Sequence, residues 1–319
     1  MLQTLVSTTR GLLNDFMRSW RRPRQTPPPI REVVTPVATN YSPLRRVLIT
    51  DEVGRTLFEE YAGHRAAERG DEETGWVLLG RREANEAIVL ATLPAGSESD
   101  AGVAHIRFNS TGQAIASSIV RQQDRRLTTL GVVHTHPGSL RHPSDGDFRG
   151  DRHWVQKLRG KEGIFGIGTA DGQPVNGSAF AYQPKAHVQC LGELRFSWYV
   201  LGHGDGNYRP LPVELTIGPD LARPLHAIWP IVEEHAEQLE RLYRQQANVR
   251  FEVLSDAGNP GLSLTIPLAA SGESVRVLLR RKEVCYYLVR GDQMLRADCA
   301  DECVDRGVYL MLAELASQA

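Results

Sequence analysis

Apolar and polar positions divide the chain into five segments. Residues 1–22 carry an apolar stripe at helical spacing, which predicts an amphipathic helix. Residues 23–45 predict an extended linker, because their many prolines cannot continue a helix. Residues 46–205 alternate between helical and strand periods, which predicts an α/β domain. Residues 206–219 predict a second linker from their Gly and Pro content, and residues 220–319 predict an α+β module.

The α/β domain begins with a helix that Thr50 can cap and that runs to about residue 69. Further helices are predicted at 111–126, with a basic polar face, and from Ser144 to about Leu158. Residues 94–104 predict a loop, because they are rich in Gly, Ser and acidic residues. Strands are predicted at about 74–81, 86–93, 105–108, 163–169, 177–182 and 186–200.

The C-terminal module shows an α-β4-α pattern. Helices are predicted at about 220–246 and 299–316, around strands at about 249–255, 261–268, 274–281 and 284–290. This order is similar to RWD and ubiquitin-conjugating-enzyme folds. No His-Pro-Asn tripeptide precedes Cys299, so its thiol is not expected to be catalytic. A recognition or dimerisation role is the prediction for this module.

The N-terminal stripe leads directly into a group of arginines at 18–24. An apolar face with a basic end can lie on an anionic membrane or dock on a partner, so residues 2–20 are a candidate for membrane contact. Packing on the chain's own catalytic domain or on an oligomer mate explains the stripe equally well. Both interpretations stay open, and so does the oligomeric state.

Composition narrows the class of protein. The net charge is −1, which gives no general attraction to nucleic acid. No apolar run approaches the length of a membrane span and no signal-peptide pattern is present, so a cytoplasmic location is expected. The four cysteines are too scattered for a disulfide framework. Buried or idle thiols are predicted, with a metal or redox pair of Cys299 and Cys303 as the alternative.

The most informative stretch reads GVVHTHPGSLRHPSDGDF. Its apolar start predicts a buried strand that leads into His134 and His136, whose side chains point to the same side because strand side chains alternate. Pro137 ends that strand. Ser144 stands at a helix N-cap position, and the first helical turn returns the carboxylate of Asp147 towards the histidines.

Two imidazoles, a carboxylate and a water form an open tetrahedral Zn²⁺ site of the catalytic type. The histidine pair alone has a simpler explanation, a strand end with two half-exposed histidines and an ordinary Ser N-cap. The complete spacing resembles the JAMM (JAB/MPN+) metalloprotease motif, HxHP followed by six residues and SxxD. Every fixed position of that motif is filled.

The JAMM motif also includes a remote glutamate. Glu73 is the candidate, because the segment from Glu73 to Gly80 resembles the family's ETxGxLxG and only Glu73 directly adjoins the strand. Asp71 and Glu72 are the rivals. The resemblance covers about residues 45–205 and implies a JAB/MPN sandwich with cytidine-deaminase-like layers. In this family a loop placed like 94–104 helps to hold the substrate tail.

The resemblance implies Zn²⁺ as cofactor, held by His134, His136 and Asp147. It implies Glu73 as general base and then general acid, and Ser144 as hydrogen-bond donor to the oxyanion, although Ser144 can be merely the helix cap. A metal-free scaffold, as in the family's inactive members, is the alternative for the whole site. Other polar residues nearby fall outside the motif and predict surface polarity or outer support: His142, Asp145, Asp151 and His153.

The function implied is a zinc-dependent peptidase or isopeptidase that cleaves the amide bond after the C-terminal tail of a ubiquitin-like protein. Precursor processing and deconjugation, including deconjugation in antiphage operons, both fit. Partners implied are a ubiquitin-like protein or its conjugate, and E1-like and E2-like proteins of the same operon. Two alternatives remain: a scaffold protein of a conjugation complex with auxiliary peptidase activity, and a DNA-repair-associated JAB protein. The near-neutral net charge makes the DNA-repair alternative less favoured, because it gives no general attraction to nucleic acid.

Overall fold

The structure is a computed structural model. It describes residues 40–68, 70–96, 111–172, 181–255, 258–269, 272–299 and 301–317. The amphipathic segment 1–22, most of the linker 23–45, the loop 94–104 from residue 97 onward and the strand predicted at 105–108 lie outside the described residues. Within the described ranges, no helix has both the length and the apolar character needed to cross a bilayer.

A large mixed sheet forms the first unit. Its order is β10-β1-β3-β2-β4-β5-β8-β7-β6, with β9 paired to β8. The strands are β1 (Arg46–Thr50), β2 (Gly75–Arg82), β3 (Glu86–Pro94), β4 (Thr128–Thr135), β5 (Glu162–Thr169), β6 (Tyr182–Lys185), β7 (Val188–Leu191), β8 (Leu194–Gly202), β9 (Arg209–Pro210) and β10 (Val213–Thr216). The helices are α1 (Asp51–Ala66), α2 (Thr111–Arg121) and α3 (Asp145–Trp154). The predicted α/β fold is confirmed, and the cytidine-deaminase-like layering stays a prediction.

Helices cover both faces of this sheet. Trp76 and Leu78 of β2 pack in one core with α1, whereas Val77 and Leu79 pack in the other with α2. This follows from the period-two alternation of strand side chains and explains why β2 reads as an uninterrupted apolar run. The strand that leads to the candidate site is therefore held from two sides.

Strand β4 lies unusually close to its parallel neighbour β5. A Cβ on Gly131 would lie 1.7 Å from the carbonyl oxygen of Ile164, so only glycine fits. The resulting register places His134 opposite Ile167 and Thr135 opposite Gly168. Gly131 therefore allows the close approach that sets the position of the end of β4 relative to β5.

The segment 206–219 differs from the predicted linker. It contains β9 and β10, and β10 pairs in parallel with β1, with Val213 opposite Val47. Leu211 and Val213 are buried. The surrounding Gly and Pro conceal this strand in the sequence, because short edge strands tolerate proline beside them. The β1 strand at the start of the domain was likewise not predicted.

The C-terminal module differs from the α-β4-α prediction in two places. Three short helices, α4 (Arg223–His226), α5 (Trp229–Glu234) and α6 (Ala236–Gln245), replace one long one. Pro224 and Pro230 begin α4 and α5, where a missing N–H is harmless. The antiparallel sheet has five strands, β11 (Arg250–Leu254), β12 (Gly261–Pro267), β13 (Glu273–Arg280), β14 (Glu283–Arg290) and β15 (Gln293–Arg296), before helix α7 (Val304–Ser317).

A half-buried ion pair joins the module to the first unit. His226 of α4 contacts Glu60 of α1 and donates its other ring N–H to the carbonyl of Thr92, 2.6 Å away. Burial alone would lower the pKa of His226. The hydrogen bond to Glu60, the negative charge of Glu60 and the hydrogen bond to the Thr92 carbonyl together raise this pKa above 6.5. Protonated His226 therefore stabilises the native state.

We expect this contribution to be complete below pH 6.5 and to be lost as the pH rises through the raised pKa. The free energy of unfolding should fall over that range by at most about 1.4 kcal/mol per pH unit. In His226→Gln the fall should be smaller, because the contribution of His226 is removed, whereas the exposed control His203→Gln should keep the full fall. Urea unfolding across pH 6 to 9 measures this, and equal slopes in both variants would contradict it.

A second buried pair ties the start of the described chain to the sheet. Arg82 and Glu162 lie 3.0 Å apart with side chains 1% and 9% exposed. Glu162 also accepts hydrogen bonds from the N–H of Leu44 and from Arg209, at 2.8 and 2.9 Å. One carboxylate thus joins β2, β5, β9 and the segment before β1.

Glu162→Ala should lower the free energy of unfolding by about 3–5 kcal/mol, because it leaves a buried guanidinium without its partner. The exposed control Glu193→Ala should change it by less than about 0.5 kcal/mol. Chemical denaturation of the two variants decides, and a small loss in Glu162→Ala would show that water replaces the carboxylate.

Candidate metal centre

Two histidines at the end of β4 face each other. Each is 5% exposed, and their Nε2 atoms lie 2.9 Å apart. Residue 136 has left the strand, but its N–H still donates to the carbonyl of Gly168 on β5 at 2.8 Å. The backbone therefore continues to follow β5, which keeps both rings on one side, as the alternation predicts.

The loop after β4 fixes the tautomer of His136. Its Nδ1 lies 2.9 Å from the carbonyl oxygen of Leu140. Because a carbonyl oxygen only accepts, Nδ1 carries a proton, and Nε2 is the nitrogen that faces the other two candidate ligands. A backbone bond of this kind is the usual way in which a protein orients a metal-binding histidine.

Helix α3 supplies the carboxylate of Asp147. One oxygen of this carboxylate lies 3.2 Å from Nε2 of His134, and the other lies 3.3 Å from Nε2 of His136. Asp147 also accepts a hydrogen bond from the N–H of Ser144 at 2.6 Å, completing a capping box. Burial alone would raise the pKa of Asp147, but hydrogen bonds from both histidines and Ser144 hold it far below its usual range. The carboxylate is therefore ionised at every physiological pH.

The donor set fits a small tetrahedral cation. The three side chains form a group of potential metal ligands, with the atoms of each pair 2.9 to 3.3 Å apart. Zinc bonds of about 2.0–2.1 Å in a tetrahedron place the ligand atoms about 3.3–3.4 Å from one another. His134, His136 and Asp147 could therefore hold a metal ion with almost no rearrangement.

Glu73 lies at the same end of the sheet. Gly75 pairs with His134 in the register of β2 and β4. The preceding residue is locked in place, since Thr74 N–H donates to Oγ1 of Thr135 at 2.9 Å. Burial lowers the pKa of His136, but the hydrogen bonds with Asp147 and the Leu140 carbonyl and the charge of Asp147 raise it above its usual value. The negative charge of Glu73 adds a smaller increase to this pKa.

The two rival acids make other contacts. Asp71 is exposed and pairs with Arg65 at 3.2 Å, and the carbonyl of Glu72 contacts His64 at 2.8 Å. Neither acid is among the charges that shift the pKa of His136. These contacts favour Glu73 for the role next to the metal ligands.

Ser144 is engaged as a helix cap. Its hydroxyl accepts the N–H of Asp147 at 3.2 Å and donates to the carboxylate of Asp147 at 2.7 Å. A hydroxyl has one proton, so this bond must open before Ser144 can donate to a substrate oxygen. The cap and the orientation of Asp147 are what the structure displays, and the oxyanion role stays a prediction.

A supporting pair lies behind the site: Asp151, for which surface polarity or outer support was predicted, and Tyr208, which was not predicted. Asp151, one turn after Asp147 on α3, accepts hydrogen bonds from Tyr208 at 2.7 Å and Trp154 at 3.1 Å. Burial raises the pKa of Asp151 to about 6, although Tyr208, Trp154 and the charge of His134 lower it. The i, i+4 spacing from Asp147 was a usable signal for Asp151. Tyr208 gave none, because it lies in the presumed linker.

The remaining polar residues near the motif are less involved. His142, Asp145 and His153 are exposed, in agreement with surface polarity. Of the four residues outside the motif, only Asp151 turns out to be half-buried and to share its helix face with a ligand.

Comparison with known proteins agrees with this geometry. Residues 55–182 match the family model of prokaryotic homologs of the JAB domain. This part of the chain is similar to a JAB domain. The matched range includes Glu73, Ser144 and the three candidate ligands. JAB families include metalloproteases and also inactive members.

A solved structure similar to this chain is the solution structure of protein DSY2949 from Desulfitobacterium hafniense. It is 15% identical, and the match covers 54% of this chain and 94% of the other, with a TM-score of 0.34. A likeness this weak carries no argument. No curated protein matches the chain.

If this centre holds a divalent metal, titration with Zn²⁺ should show one bound ion. Asp147→Asn should weaken binding by at least about 100-fold, because a charged ligand is lost. Asp145→Asn, the exposed neighbour on the same helix, should bind like the unmodified protein. Calorimetry measures both, and equal affinities would remove Asp147 from the ligand set.

Proposed function

We propose that the chain is a zinc-dependent peptidase or isopeptidase that cleaves the amide bond after the C-terminal tail of a ubiquitin-like protein. The observation that carries the proposal is the convergence of two histidines and an ionised carboxylate within 3.3 Å in a JAB domain. When bound, zinc would polarise the amide carbonyl and make a water a nucleophile at neutral pH.

The chain's own residues divide the remaining work. Glu73 accepts the proton of the attacking water and later gives it to the leaving amine. His134, His136 and Asp147 hold the ion, and the Leu140 carbonyl keeps His136 in its ligand tautomer. Ser144 orients Asp147 in the resting site, and donates to the substrate oxyanion once its hydroxyl is released.

Asp151 and Tyr208 support the ligand helix from behind. Their bond joins α3 to the strand region that follows β8, and the ring of Tyr208 packs against Phe148 and Phe165 at 6.0 and 5.4 Å between centroids. These contacts restrict rotation of α3, and so they keep the Asp147 carboxylate aimed at the histidines.

The cellular setting belongs to the same proposal. All four cysteines are unpaired, which suits a reducing compartment such as the cytoplasm. Processing of a precursor or deconjugation within an antiphage operon would provide the substrate, with E1-like and E2-like proteins as partners.

A scaffold role is the second candidate, and the C-terminal module favours it. Met294, Leu295 and Leu310 expose 49%, 50% and 55% of their surface. Exposed apolar side chains on β15 and α7 are typical of a protein contact. A module of this kind could dock a member of a conjugation complex while the JAB domain acts on the tail.

The decisive experiment uses a ubiquitin-like precursor whose Gly-Gly tail is extended by a short peptide. Glu73→Gln should bind zinc normally yet lose about 10²–10⁴-fold in turnover, because proton transfer is removed while the ligands remain. Glu72→Gln is the matched control and should cleave at the normal rate. Chelation should stop cleavage in every variant.

Two results would contradict the proposal. One is that zinc-loaded Glu73→Gln still cleaves the precursor, and the other is that the unmodified protein still cleaves it after chelation. The first would exclude Glu73 as the proton-transfer group. The second would exclude metal-dependent hydrolysis altogether.

A further inference from the structure

An open cleft lies along the end of α2 and the start of the C-terminal sheet. It encloses about 1230 Å³ and lies far along the chain from the metal ligands, between residues 119–125, 221–225 and 243–255. Both the JAB domain and the C-terminal module supply its walls. A space of this size accommodates a ligand larger than a single small ion.

The cleft is strongly basic. Among the described lining residues, Glu252 is the one carboxylate. Four arginines line the cleft: Arg121, Arg125, Arg244 and Arg250. Arg244 pairs with Glu240, whereas no ion pair is found within the described chain for the other three. The protein as a whole carries a charge of −1, so this excess of guanidinium groups is local. Like charges gathered without counter-charges are stabilised by an anion.

Arg121 gives the cleft an unsatisfied donor. Its Nε is buried and has no hydrogen-bond partner among the described residues. Burial, together with the charge of nearby Arg159, lowers the pKa of Arg121. A guanidinium fork matches the oxygens of a phosphate group.

The walls are held rigidly across the cleft. The side-chain amide of Gln122 donates to the carbonyl of Val249 and accepts the N–H of Phe251, both at 3.0 Å. It thus pairs with the open edge of β11 as a neighbouring strand would. The rings of Tyr243 and Phe251 are 6.0 Å apart, and Tyr243 is 40% exposed, so a planar aromatic surface adjoins the arginines.

We propose that this cleft binds a phosphate-bearing small molecule of nucleotide size. The arginines hold the phosphates through paired N–H donors, and Tyr243 offers its face to a base. Because the ligand contacts both the JAB domain and the C-terminal module, its binding stabilises the packing of the two against each other. The proposal does not depend on peptidase activity, because it concerns a separate cleft.

Calorimetry on the full-length protein tests this with ATP, inorganic triphosphate, adenosine and a poly-glutamate peptide. ATP and triphosphate should bind, and Arg121→Gln and Arg250→Gln should each weaken binding by about tenfold or more, since each removes a charge-assisted contact. The matched control is Arg281→Gln, an exposed arginine outside the cleft. It should bind like the unmodified protein.

The two positive arms distinguish the source of the phosphate. ATP binding more tightly than triphosphate identifies a nucleotide, and equal binding identifies a free polyphosphate. Adenosine alone should not bind. If Arg121→Gln fails to fold, the exposed Arg250→Gln still decides. Absence of binding, binding unaffected by the cleft variants, or a preference for poly-glutamate over triphosphate each overturns the proposal.

Discussion

The site depends on electron-rich atoms of three side chains that are held together in a largely buried position. The two Nε2 atoms lie about 3 Å from each other, and each lies about 3 Å from one oxygen of Asp147, so their lone pairs oppose one another unless a proton or a cation lies between them. The protein enforces this arrangement from two directions. The parallel pairing of β4 with β5 aims the histidines, and the capping box of α3 aims the carboxylate.

Those two devices are local, which is why the sequence could predict them. Alternation along a strand places His134 and His136 on one side, and an N-cap places Asp147 in the first turn, without any knowledge of distant residues. The position of Glu73 needed a resemblance to be proposed. The nearness of Glu73 to the histidines then follows from the pairing of Gly75 with His134, which are far apart in the sequence.

What the sequence could not predict are features made by distant segments. Strand β10 is four residues long, and its pairing with β1 joins residues that are more than 160 positions apart, so no periodic pattern announces it. Tyr208 and Asp151 meet in the same way. The single predicted helix at 220–246 failed for a different reason, because Pro224 and Pro230 divide it.

The pairing of β10 with β1 also decides where the first unit ends. A chain cut at residue 205 would retain the candidate metal ligands but would deprive β1 of its outer neighbour β10 and leave a row of free N–H and C=O groups in contact with solvent. Such an edge invites association with other chains, so an isolated fragment of that length would tend to aggregate. An independently stable fragment has to extend beyond residue 216, to the point where the module's first helices begin.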